Sequence, residues 1–286
     1  MKSQNNIPSN DAKKVPVAFV GGGQMASALI GGLIRAGWAA TDIYVVEPHE
    51  PQQVILKNRF GVHVVAQPEP TLHSTQVVIW AVKPQILRQA ASSMGDHVAD
   101  PLHISIVAGV SLRDLAICLH SDRIVRAMPN TPALVGAGTT GMFASDDLID
   151  GDRKLAESIL ASSGRVFWVT SDAQMDAVTA VSGSGPAYVF KFLESFQAAA
   201  QDLGFASAEA RTLVLDTVAG AVQLAQAEDT GFTELRQRVT SKNGTTEAAI
   251  AVFENRGFDS MIKDAVVTAR DRAIAISSDL SIVLTR

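Results

Sequence analysis

The chain has 286 residues, a formal net charge of −5 and 47% hydrophobic residues. This length favours one large or two medium-sized domains, and the apolar content is ample for their cores. The acidic balance lacks the electrostatic footprint of a general nucleic-acid-binding protein. No uninterrupted apolar run approaches the ~20 residues that a membrane-spanning helix needs. We therefore expect a protein with neither nucleic-acid nor membrane partners.

The first 14 residues are polar and lack the apolar stretch of a secretory signal, so we interpret residues 1–14 as a disordered tail. Cys118 is the only cysteine, which excludes an intrachain disulfide and a cysteine-rich zinc site. Its neighbours predict the buried side of a helix and hence a structural thiol. These features fit a reducing cytoplasm, and we expect no metal centre.

Short β-type runs alternate with helical patterns from residue 15 to about residue 170. The first run ends at a glycine turn, and Met25, Leu29 and Leu33 then follow at helical spacing. Helices are predicted over residues 24–36 and 52–60 and after Pro84. Strands are predicted over residues 15–20, 43–46, 62–65, 77–82, 104–107, 124–128, 139–143 and 166–169. This alternation predicts a mostly parallel sheet covered on both faces.

Helical periodicity takes over beyond residue 171, where the β-type runs disappear. Ser207 is predicted to cap a helix, and Gly204 and Gly231 stand where helices should end. Two more helices are predicted over residues 246–255 and 258–276. The pattern predicts an α/β fold, with a doubly wound Rossmann-type domain over residues 15–170 and an all-helical domain over residues 171–286.

The turn after the first strand, Gly21-Gly22-Gly23-Gln24-Met25-Ala26, matches the motif G-x-G-x-x-A. Gly21 permits the tight turn, Gly23 lets the backbone approach a pyrophosphate, and Ala26 allows close helix packing. Gln24 and Met25 open the helix, whose free N–H groups favour phosphates. The alternative is a glycine-rich turn without a ligand. The strand before the motif and the helix after it favour dinucleotide binding.

Glu47 ends the second strand, where a carboxylate can accept hydrogen bonds from both adenosine-ribose hydroxyls and would repel a 2′-phosphate. No arginine follows it. The alternative is a solvated glutamate at the start of a loop. Taken alone, Glu47 favours NADH over NADPH.

Three further segments stand near predicted strand or helix ends. Ala81-Val82-Lys83-Pro84 follows a central strand, at an edge where doubly wound folds bind ligands. Lys83 is predicted either to meet the cofactor or to cap the loop in solvent. The stiff turn from Arg126 to Pro132 fits a nicotinamide or substrate edge and equally fits a structural loop. Small residues from Met175 to Tyr188 permit close helix contact, and Pro186 suits a first helical turn.

These segments, the glycine turn and Thr240-Ser241-Lys242-Asn243-Gly244-Thr245-Thr246 together resemble the signature of pyrroline-5-carboxylate reductases, over nearly the whole chain. The resemblance implies reduction of L-1-pyrroline-5-carboxylate to L-proline with NADPH or NADH. It also implies a homodimer built by interleaved helices, with five dimers in a ring as the possible larger assembly. The predicted cofactor contacts are Gly21, Gly23, Gln24, Met25, Glu47, Ala81, Val82, Lys83, Pro84 and Ala108.

The loop before the predicted helix at residue 246 is the predicted substrate site. Ser241, Gly244 and Thr245 are predicted to bind the carboxylate, because a helix N-terminus suits an anion. The resemblance implies that Thr246 is the catalytic hydroxyl, which hydrogen-bonds the ring nitrogen while solvent delivers the proton. The alternative is that Ser241 and Thr246 merely cap the helix.

The chain departs from the family pattern near both predicted sites. Lys242-Asn243 replaces the usual Pro-Gly, and asparagine tolerates the positive φ that such a turn needs. Glu47 stands where the family more often has Ser or Asn, and Pro68 replaces an Asn at the adenosine end. These two changes leave the choice between NADPH and NADH open.

Two other functions compete with the reductase. A β-hydroxyacid dehydrogenase would need a basic residue to take the alcohol proton, and Lys191 is the best-placed candidate. Lys191 lies outside the apolar stripe of its predicted helix, so a solvated lysine is the better interpretation. A non-catalytic nucleotide sensor would keep the glycine turn but would not need a substrate loop.

Overall fold

The computed structural model describes residues 14–284, so the predicted tail lies, apart from Lys14, outside the described residues. These residues form two compact units. Residues 14–186 and 269–284 form the sheet unit, and residues 187–268 form the helical unit. The boundary near residue 170 stays a prediction. Within residues 14–284, no helix has the length and apolar character for a membrane span.

The sheet unit contains eight strands in the order β3-β2-β1-β4-β5-β6-β7-β8. All neighbouring strands are parallel except β6 and β7, which are antiparallel. The strands are β1 (Val17–Val20), β2 (Ile43–Val46), β3 (His63–Val65), β4 (Val77–Trp80), β5 (Leu102–Ser105), β6 (Ile124–Met128), β7 (Gly138–Phe143) and β8 (Gly164–Trp168). The predicted Rossmann-type sheet is confirmed, and the order in which successive strands are added to the sheet reverses between β1 and β4.

Eleven α-helices accompany the strands within residues 14–284. The helices are α1 (Gln24–Arg35), α2 (Glu50–Phe60), α3 (Leu87–Met94), α4 (Leu112–Leu119), α5 (Asp150–Ala161), α6 (Asp172–Val178), α7 (Gly185–Asp202), α8 (Ser207–Ala227), α9 (Phe232–Arg238), α10 (Thr245–Asn255) and α11 (Phe258–Leu284). A π-helical turn, Thr179–Gly183, joins α6 to α7.

Two apolar clusters, one on each face, form the core of the sheet unit. Val17 and Phe19 belong to one cluster, whereas Ala18 and Val20 belong to the other, as the alternation of side chains along a strand requires. All four residues of β4 are buried. This burial on both faces explains why the central strands are continuous apolar runs.

Cys118 lies on the buried side of α4 with 8% of its surface exposed, which confirms the predicted structural thiol. Burial raises the pKa of this thiol and keeps it protonated. The carboxyl-terminal end of α11 joins the same cluster through Leu280 and Leu284. The sheet unit is therefore completed by the end of a helix that rejoins it at residue 269, after the helical unit of residues 187–268.

Several predicted boundaries are corrected by the structure. The helix predicted over residues 258–276 extends to Leu284, and the strand predicted over residues 77–82 ends at Trp80. Ser207 is the first residue of α8, and Ala206 precedes it as N-cap, with its N–H donating to Glu209 Oε2 at 3.0 Å. Gly231 precedes α9 as N-cap instead of ending a helix. Strand β5 ends at Ser105, since the apolar run beyond it continues as a buried loop. Gly204, with a φ of +100°, does follow the end of α7.

Candidate functional site

The glycine turn joins β1 to α1 by a close approach to the neighbouring strand. Gly21 has a φ of +96°, and its N–H donates to Val46 O at 2.9 Å. A Cβ on Gly21 would lie 2.7 Å from Ala81 O and 3.2 Å from Val82 Cγ1. The turn therefore needs glycine both for its backbone conformation and for its contact with the chain after β4.

The second glycine of the G-x-G-x-x-A motif, Gly23, faces open space. Gly23 is the N-cap of α1, and no side chain caps the N–H groups of the first turn. No atom lies within 4 Å of the position that a Cβ on Gly23 would occupy. Gln24 is exposed, Met25 is half-buried, and Ala26 is buried against the sheet. The first turn of α1 contains no acidic residue. An open, uncapped helix N-terminus of this kind suits a pyrophosphate.

Glu47 is fixed beside the glycine turn by two backbone donors. Its Oε2 accepts from Gly22 N–H at 2.8 Å, and its Oε1 accepts from His49 N–H at 2.9 Å. From α2, Gln52 Nε2 donates to Gly22 O at 2.5 Å, and Gln53 Nε2 donates to Glu47 O at 2.7 Å. Each carboxylate oxygen keeps acceptor capacity, so ribose hydroxyls fit here and a phosphate does not.

The remaining predicted cofactor residues follow β4 and β5. Ala81 N–H donates to Val20 O at 2.9 Å, which aligns the loop after β4, called the β4 loop (residues 81–84), with β1. Lys83 is exposed and precedes a short 3₁₀ turn that starts at Pro84. Ala108 is exposed in the loop after β5, which we call the β5 loop (residues 106–111). The structure thus brings all ten predicted cofactor contacts to the carboxyl edge of β1, β2, β4 and β5.

Sequence reasoning missed the role of Asn130 in the stiff turn after β6. Asn130 Oδ1 accepts from Thr139 N–H at 2.8 Å, and its Nδ2 donates to Ser182 O at 3.1 Å. This amide joins β7 to the π-helical turn, a feature that often marks functional sites. The two prolines around Asn130 predicted a stiff turn. They could not identify the hydrogen-bond partners of Asn130, because these are 9 and 52 residues away in the sequence.

A second missed group is the ion-pair cluster around Arg126, which is 3% exposed. Its guanidinium pairs with Asp172 and, at 3.2 Å, with Asp176. Asp172 Oδ1 also accepts from Leu112 N–H at 3.3 Å, so the cluster joins β6, α6 and α4. A buried charge of this kind is stabilised only by such partners, which makes a structural role the better interpretation.

The predicted substrate loop belongs to the helical unit and ends at α10. Gly244 is the N-cap with no side-chain cap, so neither Ser241 nor Thr246 caps the helix. A Cβ on Gly244 would collide with Ser241 Oγ. Asn243 has a φ of +59°, and its N–H donates to Glu247 Oε2 at 2.6 Å. The predicted positive φ at the asparagine is confirmed, and the capping alternative is wrong.

Three hydroxyl groups stand free around the start of α10. Within residues 14–284, the side chains of Ser241, Thr245 and Thr246 make no hydrogen bond. Thr246 is half-buried, whereas Ser241 and Thr245 are exposed. Uncommitted hydroxyls beside uncapped helix N–H groups form a donor-rich surface that suits a carboxylate and a polar ring atom.

Lys191, the basic residue that a hydroxyacid dehydrogenase would need, is a surface residue. Its side chain is 71% exposed, and Nζ pairs with Glu194 Oε1 at 2.8 Å on α7. This arrangement confirms the interpretation of a solvated lysine. Among residues 14–284, no group of His, Cys, Asp and Glu is arranged to hold a metal ion.

Comparison with protein families identifies both parts of the chain. Residues 172–276 match the family model described as pyrroline-5-carboxylate reductase dimerisation. Residues 16–109 match the model described as NADP oxidoreductase coenzyme F420-dependent. The second match covers the glycine turn, Glu47, the β4 loop and Ala108. The first covers the loop before α10.

Curated relatives and solved structures resemble the chain over almost its whole length. The pyrroline-5-carboxylate reductase of Pseudomonas aeruginosa is 37% identical over 92% of this chain and 97% of its own. That of Haemophilus influenzae is 40% identical over 90% and 96%. A solved reductase from Coxiella burnetii has a TM-score of 0.86 with 36% identity over 93% of this chain and 99% of that one. A Plasmodium falciparum reductase, solved with NADP bound, has a TM-score of 0.82 with 28% identity over 92% and 98%.

Proposed function

The chain belongs to the pyrroline-5-carboxylate reductase family, and we propose that it reduces L-1-pyrroline-5-carboxylate to L-proline with NADPH or NADH. This reaction is the last step of proline biosynthesis. The observation that carries the proposal is the pair of uncapped helix N-termini, at α1 in the segment that matches the NADP oxidoreductase model and at α10 in the segment that matches the reductase dimerisation model. One suits a pyrophosphate and the other a carboxylate.

The carboxyl edge of the sheet fits a dinucleotide along its length. Gly23, with Gln24 and Met25, would hold the pyrophosphate at the head of α1, and Glu47 would accept from the adenosine ribose. Ala81, Val82, Lys83 and Pro84 follow next along the sheet, and then Ala108. When bound, the reduced nicotinamide supplies the hydride, so the chain's own contribution is orientation.

The substrate carboxylate would bind at the start of α10. Gly244 leaves the leading N–H groups of the helix accessible, and the helix dipole adds a partial positive charge. The exposed hydroxyls of Ser241 and Thr245 supply further donors. Binding at this end would hold the ring by its carboxylate and leave the imine carbon accessible to a hydride donor, and such orientation is the main requirement of the reaction.

Thr246 is the proposed catalytic residue because its half-buried hydroxyl is uncommitted. It would hydrogen-bond the ring nitrogen, and a hydroxyl can both donate and accept, so it suits the imine and the amine. A threonine hydroxyl is too weak an acid to protonate the nitrogen near neutral pH. Solvent would therefore deliver the proton.

We propose a preference for NADH, and the two hydrogen bonds that fix Glu47 support it. The backbone N–H groups of Gly22 and His49 fix the orientation of the carboxylate. A 2′-phosphate would therefore be repelled by a negative charge that cannot rotate away without losing these hydrogen bonds. The Plasmodium falciparum relative was solved with NADP bound, so comparing the two cofactors is the direct test of this preference.

The helical part, proposed as residues 171–286 after a Rossmann part of 15–170, would form a homodimer. The dimerisation family model over residues 172–276 supports this, and a ring of five dimers is the proposed larger assembly. A cytoplasmic location belongs to the same proposal.

An assay of the purified chain with pyrroline-5-carboxylate and each reduced cofactor, followed at the nicotinamide absorbance, tests the function. We expect turnover with both cofactors and a higher kcat/KM with NADH. Turnover of a β-hydroxyacid but not of the imine would favour the rival dehydrogenase. Tight cofactor binding without any turnover would favour a nucleotide sensor.

A further inference from the structure

The β5 loop is anchored on both sides of the exposed residue Ala108. Ile106 N–H donates to Trp80 O at 3.0 Å, which aligns the start of the loop with β4. Val107 and Val110 are buried, with 3% and 0% of their surfaces exposed. The two anchors fix the backbone between them, so the orientation of Ala108 depends on whatever the two valines pack against.

The last turns of α11 pack directly against this loop. Gly109 has a φ of +74°, and a Cβ there would lie 2.9 Å from Ile276 Cγ2 and 3.2 Å from Leu280 Cδ1. Leu280 is 7% exposed and lies in the same apolar cluster as Val107 and Val110. The contact is so close that glycine is required both for space and for the left-handed backbone.

A chain of hydrogen bonds joins the same helix to the end of the loop. Ser281 Oγ donates to Asp114 Oδ1 at 3.1 Å, and Asp114 Oδ2 accepts from Ser111 Oγ at 2.8 Å. Ser111 Oγ in turn accepts from Asp114 N–H at 3.1 Å and so caps α4. Asp114 is 3% exposed, so the loss of one donor leaves a buried carboxylate less well satisfied.

The sheet order indicates which part of a dinucleotide the β5 loop would meet. Glu47 on β2 marks the adenosine end, and Gly23 after β1 marks the pyrophosphate. Because β4 and β5 follow β1 in the sheet, the nicotinamide half of a bound cofactor would extend toward Ala108. The contact of α11 with this loop therefore lies beside the reacting end of the cofactor, and away from its adenosine end.

We propose that Leu280 and Ser281 are positioning residues for the nicotinamide half of the cofactor, because they hold the β5 loop in the shape that presents Ala108. The proposal rests on the proposed function, since it takes the carboxyl edge of the sheet as the cofactor site. Leu280 contacts Gly109 and Ser281 contacts Asp114, so both would act on the cofactor through these two residues.

The test compares two ligands that share the adenosine and pyrophosphate groups. Dissociation constants for NADH and for ADP-ribose are measured with the full chain and with Leu280→Ala and Ser281→Ala. We expect NADH to bind about tenfold more weakly to Leu280→Ala and about threefold more weakly to Ser281→Ala. ADP-ribose, which lacks the nicotinamide, should bind all three proteins alike. KM for NADH should rise more than kcat falls.

Ser278→Ala is the matched control, because it removes an exposed hydroxyl of α11 that bonds only within the helix, to Ile274 O at 3.1 Å. It should leave both dissociation constants unchanged. If Leu280→Ala does not fold, Ile276→Ala removes the other contact with Gly109 and should weaken NADH selectively.

Unchanged NADH binding in the folded variants would overturn the proposal. Equal weakening of NADH and ADP-ribose would also overturn it, because that result indicates general loss of structure. A wild-type chain that binds neither NADH nor NADPH would overturn the proposed function together with this inference. The wild-type measurement thus separates the two failures.

Discussion

The sheet unit and the helical unit differ in where their apolar side chains lie. The strands β1 and β4 are fully buried, and two clusters fill both faces of the sheet. In the helical unit, over residues 187–268, the buried hydrophobic residues are Ala200, Ala210 and Val214. Its large apolar side chains are mostly exposed, for example Phe190 at 65% and Phe232 at 82%.

This difference shows that the same kind of sequence signal has two structural outcomes. In the sheet unit, the apolar faces of the helices pack against the sheet and form a core with it. In the helical unit, helical periodicity produces apolar surface, which is typical of a chain that completes its core with a second copy. The match to a dimerisation family accounts for that surface.

Two glycine substitutions at the cofactor edge of the sheet unit should weaken NADH binding, but only one of them should also lower the Tm. Gly21→Ala puts a side chain at a φ of +96° and 2.7 Å from Ala81 O, so we expect a lower Tm and about 100-fold weaker NADH binding. Gly23→Ala meets no protein atom within 4 Å, so Tm should stay unchanged while NADH binding weakens by a similar factor. Thermal melts and fluorescence titration measure both. Wild-type affinity in Gly23→Ala would remove the turn from the site.

Thr246→Ala tests the corresponding position of the helical unit. We expect kcat/KM for the imine to fall by about 10- to 100-fold, because one hydrogen bond to the reacting ring is lost. NADH binding should not change, since the cofactor contacts belong to the sheet unit. Thr246→Ser should restore most of the activity. Thr217→Ala, which removes a hydroxyl bonded within α8 at 2.7 Å, is the control. Wild-type kinetics in Thr246→Ala would exclude this residue.

Glu47→Ser tests the adenosine end of the sheet unit. Removing the fixed carboxylate should raise the ratio of kcat/KM for NADPH over NADH by about tenfold, because the repulsion of a 2′-phosphate disappears. Glu50→Ser, an exposed change on the first turn of α2, should leave the ratio unchanged. A clear NADPH preference in the wild-type chain would contradict the expected role of Glu47.

The exposed apolar face of the helical unit predicts stability that depends on concentration. The Tm of the wild-type protein should rise by roughly 2–4 °C for each tenfold increase in protein concentration, as expected for a folded state that is stabilised by association. The double variant Phe192→Ser/Phe196→Ser removes two rings that lie 5.7 Å apart and are 41% and 39% exposed. It should shift the sedimentation mass toward the monomer, whereas Lys191→Ser should not. A wild-type monomer at all concentrations would rule out the dimer.

The smallest expected effect concerns His103 on β5, whose Nδ1 accepts from Trp80 Nε1 at 3.0 Å. Burial lowers the pKa of His103 to about 4, with smaller opposing effects from Asp100 and Arg123. Between pH 6.5 and about 4, the unfolded chain binds a proton that the folded chain does not. His103 therefore costs stability as the pH falls, by up to about 1.4 kcal/mol per pH unit.

His103→Gln keeps an acceptor for the indole and removes this titration. Urea melts between pH 7 and pH 4.5 should give a steeper loss of unfolding free energy for the wild type than for the variant. Parallel curves would show that His103 does not titrate in this way.

The sequence predicted the elements that depend on local patterns. Apolar runs located the strands, and the glycine motif located the open N-terminus of α1, because each signal lies within a few residues of what it specifies. Ser207 and Gly231 were placed wrongly, since capping and stop signals are weak guides to the last residue of a helix. Asn130 was underestimated because its partners on β7 and in the π-helical turn are distant in the sequence.

What the amino-acid sequence determined by itself was the order of the elements, the family and the chemistry of the two helix N-termini. Only the tertiary structure decided that Glu47 is fixed by the glycine turn and that Ser281 reaches Asp114, 167 residues earlier. The physical reason is that periodicity and motifs report interactions along the chain. Hydrogen bonds and packing between distant segments exist only after the sheet and its covering helices have come together.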